Sequence, residues 1–357
     1  MAAADSLRTF NQRAVLAALR AGGMASRAEL AEAVGISKPT AGKIVDELLA
    51  AGVVQEQESA AAGPGRPSRP VAYDADVARF LLIELNQNRT RLALVPVAVP
   101  ADDEAVWSIS FATPDTASAW AAALHKAVGA PAGLWAAVAS VPGVVDDEQG
   151  RCLFCHQVPW APGEDLRALI SAAVGGVPTV VLQEIRTLAL GHAVAGSGDD
   201  FLLVDSGDGL GSAAMIGGHL HRAAGPFSGE LGHTPVLGRR RRCGCGATGC
   251  LETLLAAPRL QRCDDKDLDA AGAIVGAALN TLGLARVVLT GALAELAPAR
   301  LQRLRAAITG SALAARLGSI AIDTAPRRRA LGLHQAVHTA LLDRTDNWRY
   351  PCRVTAA

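Results

Sequence analysis

The 357-residue chain holds 34 Lys and Arg against 34 Asp and Glu, so its formal net charge is zero. This balance argues against a broadly basic nucleic-acid coat and leaves room only for a local basic face. Half of the residues are apolar, yet no apolar run reaches the length of a membrane span and the N-terminus lacks a signal-peptide pattern. We therefore expect a soluble cytoplasmic protein of two or three domains with no membrane segment.

The first seventy residues carry the pattern of a helix-turn-helix. Ser26 and Glu29 make an S-x-x-E capping box for one short helix, which Gly35 then breaks. Ser37 is suited to cap the next helix, whose apolar residues form one stripe. With an upstream helix over about residues 9–20, three small helices are expected to share a core.

The second helix of the motif and the segment after it predict DNA contacts. The side chains expected to face the major groove are Ser37, Lys38, Thr40 and Lys43. Two strands around a Gly- and Pro-rich tip follow, and Arg66 on that tip could enter a minor groove or bind phosphates. Alternatively, the helices are a packing or dimer module and Gly-Arg-Pro is a linker.

DNA binding by this segment would depend on where its few basic side chains lie rather than on a net positive charge. Residues 1–70 hold eight Lys and Arg against seven Asp and Glu. A symmetric dimer on a palindromic double-stranded operator would double the few contacts that one copy offers. We therefore expect a homodimer or a homotetramer.

From about residue 78 the chain alternates short apolar strands with alanine-rich helices, a pattern typical of an α/β domain. The predicted strands lie in RFLLIELN (79–86), RLALVPVAV (91–99), LWAAVASVPGVV (134–145), TVVLQE (179–184), FLLVDSG (201–207), SAAMIGG (212–218) and ARVVLTG (285–291). The expected domains are a winged helix-turn-helix over residues 1–76 and an α/β domain over residues 77–357.

One histidine and three of the seven cysteines fall within eighteen residues. The four candidate ligands in this loop, residues 233–250, are His233, Cys243, Cys245 and Cys250. Because a reducing cytoplasm keeps thiols free, the cluster indicates a metal site rather than disulfides. A Cys3His set suits tetrahedral zinc, and with all four positions filled by protein the ion would be structural.

The loop motif G-E-x-G-H followed by C-x-C-G-x-x-G-C-x-E resembles the signature of the ROK family of bacterial repressors, uncharacterised frames and sugar kinases. The helix-turn-helix, the Gly-Arg-Pro wing, VPGVVDDEQG at 141–150 and SGDGLG at 206–211 extend the resemblance over essentially the whole chain. It implies an actin-like, ribonuclease-H-like α/β fold of two lobes with a sugar bound in the cleft. The N-terminal winged domain is what ROK transcription factors carry and ROK kinases lack.

The resemblance also implies which kinase features this chain has lost. Where family kinases have a D-x-G-G-T phosphate turn, residues 84–90 read ELNQNRT, so Asn86–Asn88 replace the glycines. The catalytic aspartate aligns with Glu184, which moves the carboxylate by one methylene. We therefore expect no kinase activity.

The same alignment predicts the effector pocket. In the family, an Asn-Asp pair, a further Asn and three residues around the metal loop hold the sugar hydroxyls. The matching positions here are Gln157, Gln183, Glu184, Glu230, His233 and Glu252. Because three of these side chains are longer than in the family, a changed ligand is expected. His233 would bind zinc through one ring nitrogen and face the sugar with the other.

These features predict a DNA-binding transcriptional regulator, most simply a repressor, of carbohydrate-related genes, with a sugar or sugar-phosphate effector. Two alternatives stay open: a sugar kinase with an appended DNA-binding domain, and a constitutive DNA-binding regulator with a dead pocket. Arg239–Arg242 are expected to form a solvated loop rather than a partner site. Cys152 and Cys155 are expected to be free thiols near the cleft, because no second cysteine pair completes a metal site.

Overall fold

The computed structural model of the chain describes residues 11–12, 14–19, 22–50, 53–57, 69–74, 79–97, 105–129, 131, 133–196, 200–221 and 225–342. Arg66, predicted to contact DNA from the wing, lies outside these described residues. The described residues divide into two compact units. The first takes the described parts of residues 1–139, 166–180 and 334–357, and the second consists of residues 140–165 and 181–333.

The N-terminal part of the first unit is a small helical bundle with a three-stranded sheet. Residues 14–19 are helical, followed by α1 (Arg27–Val34) and α2 (Lys38–Ala50). The sheet places β3 (Val71–Tyr73) between β1 (Met24–Ala25) and β2 (Val54–Glu56), with both pairings antiparallel. This is the predicted order of helix, turn, helix and wing strands.

Capping explains where the two helices of this motif begin and end. Ser26 and Glu29 form the expected reciprocal capping box, and Gly35 adopts a left-handed conformation that ends α1. The Ser37 hydroxyl accepts the N–H of Thr40 at 3.2 Å at the start of α2. The buried residues contributed by the three helices are Val15, Leu16, Leu19, Leu30, Ala31, Ala41, Ile44, Val45 and Leu48.

The α/β region contains two five-stranded sheets of the same order. In the first, the order is β10-β7-β4-β5-β6, formed by β4 (Arg79–Glu84), β5 (Arg89–Pro96), β6 (Ile109–Ala112), β7 (Leu134–Val141) and β10 (Thr179–Gln183). In the second, it is β13-β12-β11-β14-β15, formed by β11 (Phe201–Ser206), β12 (Leu210–Ile216), β13 (His219–Leu220), β14 (Arg286–Gly291) and β15 (Ala321–Thr324). Numbered within each sheet, the first reads 3-2-1-4-5 from its β6 edge and the second reads 3-2-1-4-5 from its β13 edge, so one strand order occurs twice.

Helices and one further hairpin complete the described chain. The hairpin pairs β8 (Val144–Asp146) with β9 (Arg151–Phe154). The helices are α3 (Ala117–Val128), α4 (Leu166–Ala173), α5 (Glu184–Ala195), α6 (Glu252–Leu255), α7 (Ala257–Leu260), α8 (Asp265–Leu282), α9 (Pro298–Ser311), α10 (Leu313–Leu317) and α11 (Arg329–Val337). None of the described helices is long and apolar enough to cross a membrane.

One apolar cluster of the second unit supports elements that carry the candidate site. Val204 of β11, Leu210 of β12, and Leu251 and Leu255 around α6 belong to the same buried cluster as the inner faces of α8 and α9. Each of these four side chains is at least 95% buried. Because one packed core fixes all of these elements, the loops between them are held in place.

Candidate functional site

The predicted metal ligands come together in the second unit. One ligand atom from each of His233, Cys243, Cys245 and Cys250 lies within 4.8 Å of all the others. Cys245 Sγ is 3.7 Å from Cys250 Sγ, and Cys243 Sγ is 3.6 Å from His233 Nδ1. Zinc–sulfur bonds of about 2.3 Å in a tetrahedron require sulfur atoms about 3.8 Å apart. The donor set and its spacing therefore fit zinc.

Tight turns build this cluster from a short stretch of chain. The N–H of Cys243 bonds to the carbonyl of Ala247 at 2.8 Å, and the N–H of Gly246 returns to the carbonyl of Cys243 at 3.0 Å. A bridge between Pro235 and Cys250 brings the histidine side of the loop to the last cysteine. These backbone bonds close the loop and bring the four donors together.

The three cluster thiols differ in acidity. Burial raises the pKa of Cys243 to about 12 and also raises the pKa of Cys250. Burial opposes ionisation of Cys245 too, but hydrogen bonds from the Ala247 N–H and from the other two thiols lower its pKa overall. Cys245 is thus the readiest thiolate, and a bound cation would ionise the others.

His233 connects the cluster to a polar pocket. Its Nδ1 faces Cys243, while its Nε2 lies 3.7 Å from Glu230 Oε2. Gln183 donates from Nε2 to Glu230 Oε1 at 3.0 Å. The Oε1 atom of Gln183 is buried, and no described residue donates to it. That acceptor and the neighbouring carboxylate suit a ligand with hydroxyl donors.

The pocket lies within the second unit and brings together all six predicted effector residues. Its open volume, including solvent at its mouth, is about 660 Å³. Lining residues are Pro142, Gly143, Val144, Phe154, His156, Gln157, Gln183, Glu184, Ile185, Asp205, Gly207, Asp208, Gly209, Leu210, Gly211, Glu230, His233 and Glu252. These lining residues include five carboxylates, two glutamines and two histidines, with Phe154 as the aromatic apolar side chain.

Two glycines, one beside the pocket residue Glu230 and one in the pocket lining, lie very close to neighbouring groups. Gly229 has a φ of +94°, and a Cβ there would lie 2.0 Å from the carbonyl oxygen of Ser212. Only glycine tolerates both conditions, so it can place the following Glu230. At Gly209 a Cβ would lie 2.7 Å from Oε2 of Glu252, which already accepts the N–H of Leu210 at 3.1 Å.

Two arginines next to the pocket were not identified as site residues from the sequence. Arg327 bonds to both carboxylate oxygens of Asp205, at 2.8 and 2.9 Å. Arg329 pairs with Glu184, the residue at the position of the kinase aspartate. The two arginines lie 122 and 145 positions from the carboxylates they meet, so nothing in the sequence indicates these pairs.

A third unpredicted residue, Arg186, ties two loops of the second unit together. Arg186 Nη1 lies 2.6 Å from Asp147 Oδ2, and its Nη2 donates to the carbonyl of Pro226 at 3.0 Å. Arg186 and Asp147 are both more than 90% buried. The sequence offered one signal for this pair: Asp147 lies in the VPGVVDDEQG motif, and a buried arginine on α5 needs a carboxylate partner.

The predicted DNA contacts divide into two kinds. Lys38 and Lys43 are exposed on α2, with no ion pair to another described residue. The Ser37 hydroxyl lies 2.7 Å from the Thr40 hydroxyl and caps the helix. The two lysine side chains are therefore available to bind phosphates. The Ser37 and Thr40 hydroxyls instead bond to one another, and Ser37 also caps α2.

Two other sequence features are placed by the structure. The Asn86–Asn88 segment forms the turn between β4 and β5, where the Asn86 side chain accepts the N–H of Gln87 at 2.7 Å. Arg239 pairs with Asp264 and Asp267, while Arg240 and its two successors are exposed. The arginine run is thus partly anchored to the start of α8.

Comparison with known proteins agrees with this architecture. The ROK family model matches residues 110–274, and the MarR family model matches residues 8–63. The xylose repressor of Caldicellulosiruptor bescii is 25% identical over 261 residues, 69% of this chain and 63% of that protein. Escherichia coli K12 Mlc, a DNA-binding transcriptional repressor, is 26% identical over 70% of this chain and 64% of its own.

A third relative and the solved structures extend the comparison. The dual regulator NagC of Escherichia coli K12 is 24% identical over 72% of this chain and 65% of its own. The chain thus spans less than two thirds of the length of these curated relatives. A ROK family transcriptional regulator homologous to Escherichia coli Mlc superposes with a TM-score of 0.72 at 19% identity, covering 95% of this chain and 99% of the other.

A ROK glucokinase from Streptomyces griseus, solved with glucose and AMPPNP, superposes with a TM-score of 0.57 at 19% identity over 72% of this chain and 98% of the other. These likenesses confirm the predicted fold, a winged helix-turn-helix followed by the actin-like sugar-kinase fold. The chain therefore carries a MarR-type winged helix-turn-helix and a ROK family domain, and it is homologous to the ROK transcriptional regulators Mlc, NagC and the xylose repressor.

Proposed function

We propose that this protein is a cytoplasmic, DNA-binding transcriptional repressor of carbohydrate-related genes whose DNA affinity is set by a small polyhydroxy effector. The observation that carries the proposal is the combination of a winged helix-turn-helix with a ROK domain in one chain, as in the regulator that superposes over 95% of it. Its relatives are named for xylose and N-acetylglucosamine.

DNA binding is assigned to α2 and the wing. Lys38 and Lys43, with Arg66 on the wing, would bind phosphates or base edges, and a homodimer or homotetramer would present two copies to a palindromic operator. We would select operators from random double-stranded DNA and measure affinity by fluorescence anisotropy. Lys43→Ala should weaken binding and reduce the salt slope by about one ion. Lys126→Ala, on α3, is the matched control.

The effector is assigned to the pocket of Gln157, Gln183, Glu184, Glu230, His233 and Glu252. The unpartnered acceptor of Gln183 and the Glu230 carboxylate support a hydroxyl-rich ligand. A thermal-shift panel of pentoses, hexoses, N-acetylated amino sugars, their phosphates and short oligosaccharides would identify it. A shift that Glu230→Gln abolishes supports the proposal, whereas operator binding that no sugar alters would favour a dead pocket.

Zinc is assigned to His233, Cys243, Cys245 and Cys250. With four protein ligands the ion would brace the loop that carries Glu230 and Glu252, and would supply no open position for chemistry. His233 would bind it through Nδ1 and leave Nε2 for Glu230 or the effector. Metal analysis of the purified protein should give one zinc per chain.

We propose that the kinase chemistry of the fold is lost. Glu184 is paired with Arg329, which holds the carboxylate away from the role of a general base. The Asn86–Asn88 turn has no glycine to admit phosphate oxygens. The alternative, a sugar kinase with an appended DNA-binding domain, predicts sugar-dependent ATP turnover by the zinc-loaded protein. Absence of turnover with every sugar that binds would exclude it.

A further inference from the structure

The charged groups around the pocket leave it with an excess of negative charge. Its described lining contains five carboxylates and neither a lysine nor an arginine. Two of the carboxylates are neutralised by arginines outside that lining: Arg327 pairs with Asp205. Arg329 pairs with Glu184. The other three lining carboxylates, which have no ion pair to a described lysine or arginine, are Asp208, Glu230 and Glu252.

The metal cluster beside the pocket does not supply the missing positive charge. Glu230 Oε2 lies 3.7 Å from His233 Nε2, and Glu252 Oε1 lies 3.4 Å from Cys243 Sγ. When zinc is bound, three thiolates outweigh one divalent cation, and an imidazole that coordinates zinc is neutral. The two carboxylates that border the cluster therefore gain no net counter-charge from it.

A buried amide lies next to one of these carboxylates. Gln183 Nε2 donates to Glu230 Oε1 at 3.0 Å, and because a carboxylate only accepts, this contact fixes the orientation of the amide. Gln183 is only 7% exposed, and its Oε1 receives no donor from the described chain. A ligand in the pocket therefore meets an amide oxygen and a carboxylate as neighbours, and both are acceptors.

A cationic donor satisfies these two acceptors better than a hydroxyl does. The Glu230 side chain is 25% exposed, so a ligand that covers it removes water from a charged group. Loss of water without a gain of counter-charge is costly for a carboxylate. An ammonium brings three donors and a positive charge in one group, and its hydrogen bonds to a carboxylate are stronger than those of a neutral donor. A phosphate would instead meet like charges.

We propose that the effector of this pocket is a polyhydroxy primary amine, such as an amino sugar with a free ammonium group, which Glu230 and Gln183 bind through that group. Gln157 and Glu252, also in the lining, would bind hydroxyls of the same ligand. This inference rests on the proposed function, because it names the ligand class of the same pocket. Sugar phosphates and N-acetylated amino sugars present no net positive charge, so they should bind less tightly than the free amine.

Matched sugars test the ligand class directly. Glucosamine, galactosamine and mannosamine are each compared with the parent hexose, the N-acetyl derivative and the 6-phosphate of the parent hexose. Isothermal titration calorimetry with the full, zinc-loaded chain gives the dissociation constants, at one ionic strength and at a pH where the amine is protonated. In a series that binds, we expect the free amine to bind about tenfold more tightly than the parent hexose or the N-acetyl derivative, and the phosphate to bind most weakly.

The outcomes separate this inference from the proposed function. A parent hexose, an N-acetyl derivative or a phosphate that binds as tightly as the amine would overturn the ammonium site, while a sugar-responsive pocket would stand. If no member of any series binds, the effector assignment fails and the ammonium site fails with it. Added salt should weaken binding of the amine more than binding of its parent hexose, because an ion pair is screened. Equal salt dependence would contradict the ion pair.

A variant that removes one charge locates the ammonium. Glu230→Gln keeps an acceptor for Gln183 and loses the negative charge, so the affinity for the amine should fall about tenfold more than the affinity for the parent hexose. Glu295→Gln, at an exposed carboxylate outside the pocket lining, is the control and should change neither affinity. Equal losses for amine and hexose in Glu230→Gln would overturn the assignment to this carboxylate. The comparison of matched sugars uses the wild-type chain, so it decides the ligand class even if the variant does not fold.

Discussion

Arg327 encloses the Asp205 carboxylate and also donates to the carbonyl of Ser206 at 2.9 Å. Two glycine turns leave room for the guanidinium: a Cβ at Gly207 would lie 2.5 Å from Arg327 Nη2, and one at Gly291 would lie 2.6 Å from it. The Arg327 guanidinium thus fills the space between the glycine turn after β11 and the turn after β14.

Removal of this cation should destabilise the fold. Arg327→Ala removes the ion-pair partner of Asp205, whose side chain is 9% exposed and keeps the Thr290 hydroxyl as a donor at 2.8 Å. The expected loss is about 2–4 kcal/mol of unfolding free energy. Urea denaturation would measure it. Arg303→Ala removes an arginine that pairs with Asp265 and Asp269 at the surface, so a much smaller loss is expected. Equal losses would contradict the structural role of Arg327.

Metal removal should loosen the loop around His233. If zinc is bound, a chelator should lower the melting temperature by about 5 °C or more, and added zinc should restore it. Cys245→Ser should lower the zinc content and the melting temperature together. Cys263→Ser, outside the cluster, should leave the zinc content unchanged. Full zinc content in Cys245→Ser would show that this thiol is not a ligand.

Gly229 should not tolerate a side chain. Gly229→Ala puts a Cβ on the Ser212 carbonyl oxygen at a φ of +94°, and the expected cost is about 2–4 kcal/mol. Gly238→Ala is the control, because its φ of +76° has open space around it. There only the left-handed backbone is unfavourable, at about 1 kcal/mol. Similar costs at the two sites would contradict the close approach.

Stability should fall in mild acid because of His192. Burial, followed by the charges of Arg286 and Arg328, lowers the pKa of this side chain, which packs edge-on against Phe201. A lowered pKa means that the unfolded chain binds the proton more readily, so stability is lost as pH falls below the unfolded pKa of about 6.5. His192→Gln should give a shallower slope between about pH 7.5 and pH 5.5 in urea denaturation. If the variant keeps the pH dependence of the wild type, groups other than His192 cause the loss of stability in acid.

The sequence predicted the local elements well because their causes are local. The capping box at Ser26 and Glu29, the N-cap at Ser37 and the alternation of strands with helices all depend on neighbouring residues. The candidate metal ligands could also be recognised from the sequence, since three cysteines lie within eight residues and the fourth donor is nearby.

The charge partners of the site could not be predicted. Arg329 meets Glu184 across 145 positions and Arg327 meets Asp205 across 122 positions. The Arg327–Asp205 pair follows from the parallel order of β11, β14 and β15, which brings the segment after β15 to the end of β11. The strands β6 and β15 were missed as well, because four-residue stretches with exposed positions carry little apolar pattern.

The close approach at Gly209 has a consequence for how the ligand preference of this pocket can be redesigned. A methyl group at that position would lie 2.7 Å from Oε2 of Glu252, so any larger residue there has to displace that carboxylate. Gln157, Gln183 and Glu184, which differ from the family motif, are positions where a substitution does not start from that contact. If the pocket binds the proposed effector, a library randomised at these three codons and screened with a reporter gene would show which other ligands the same scaffold accepts.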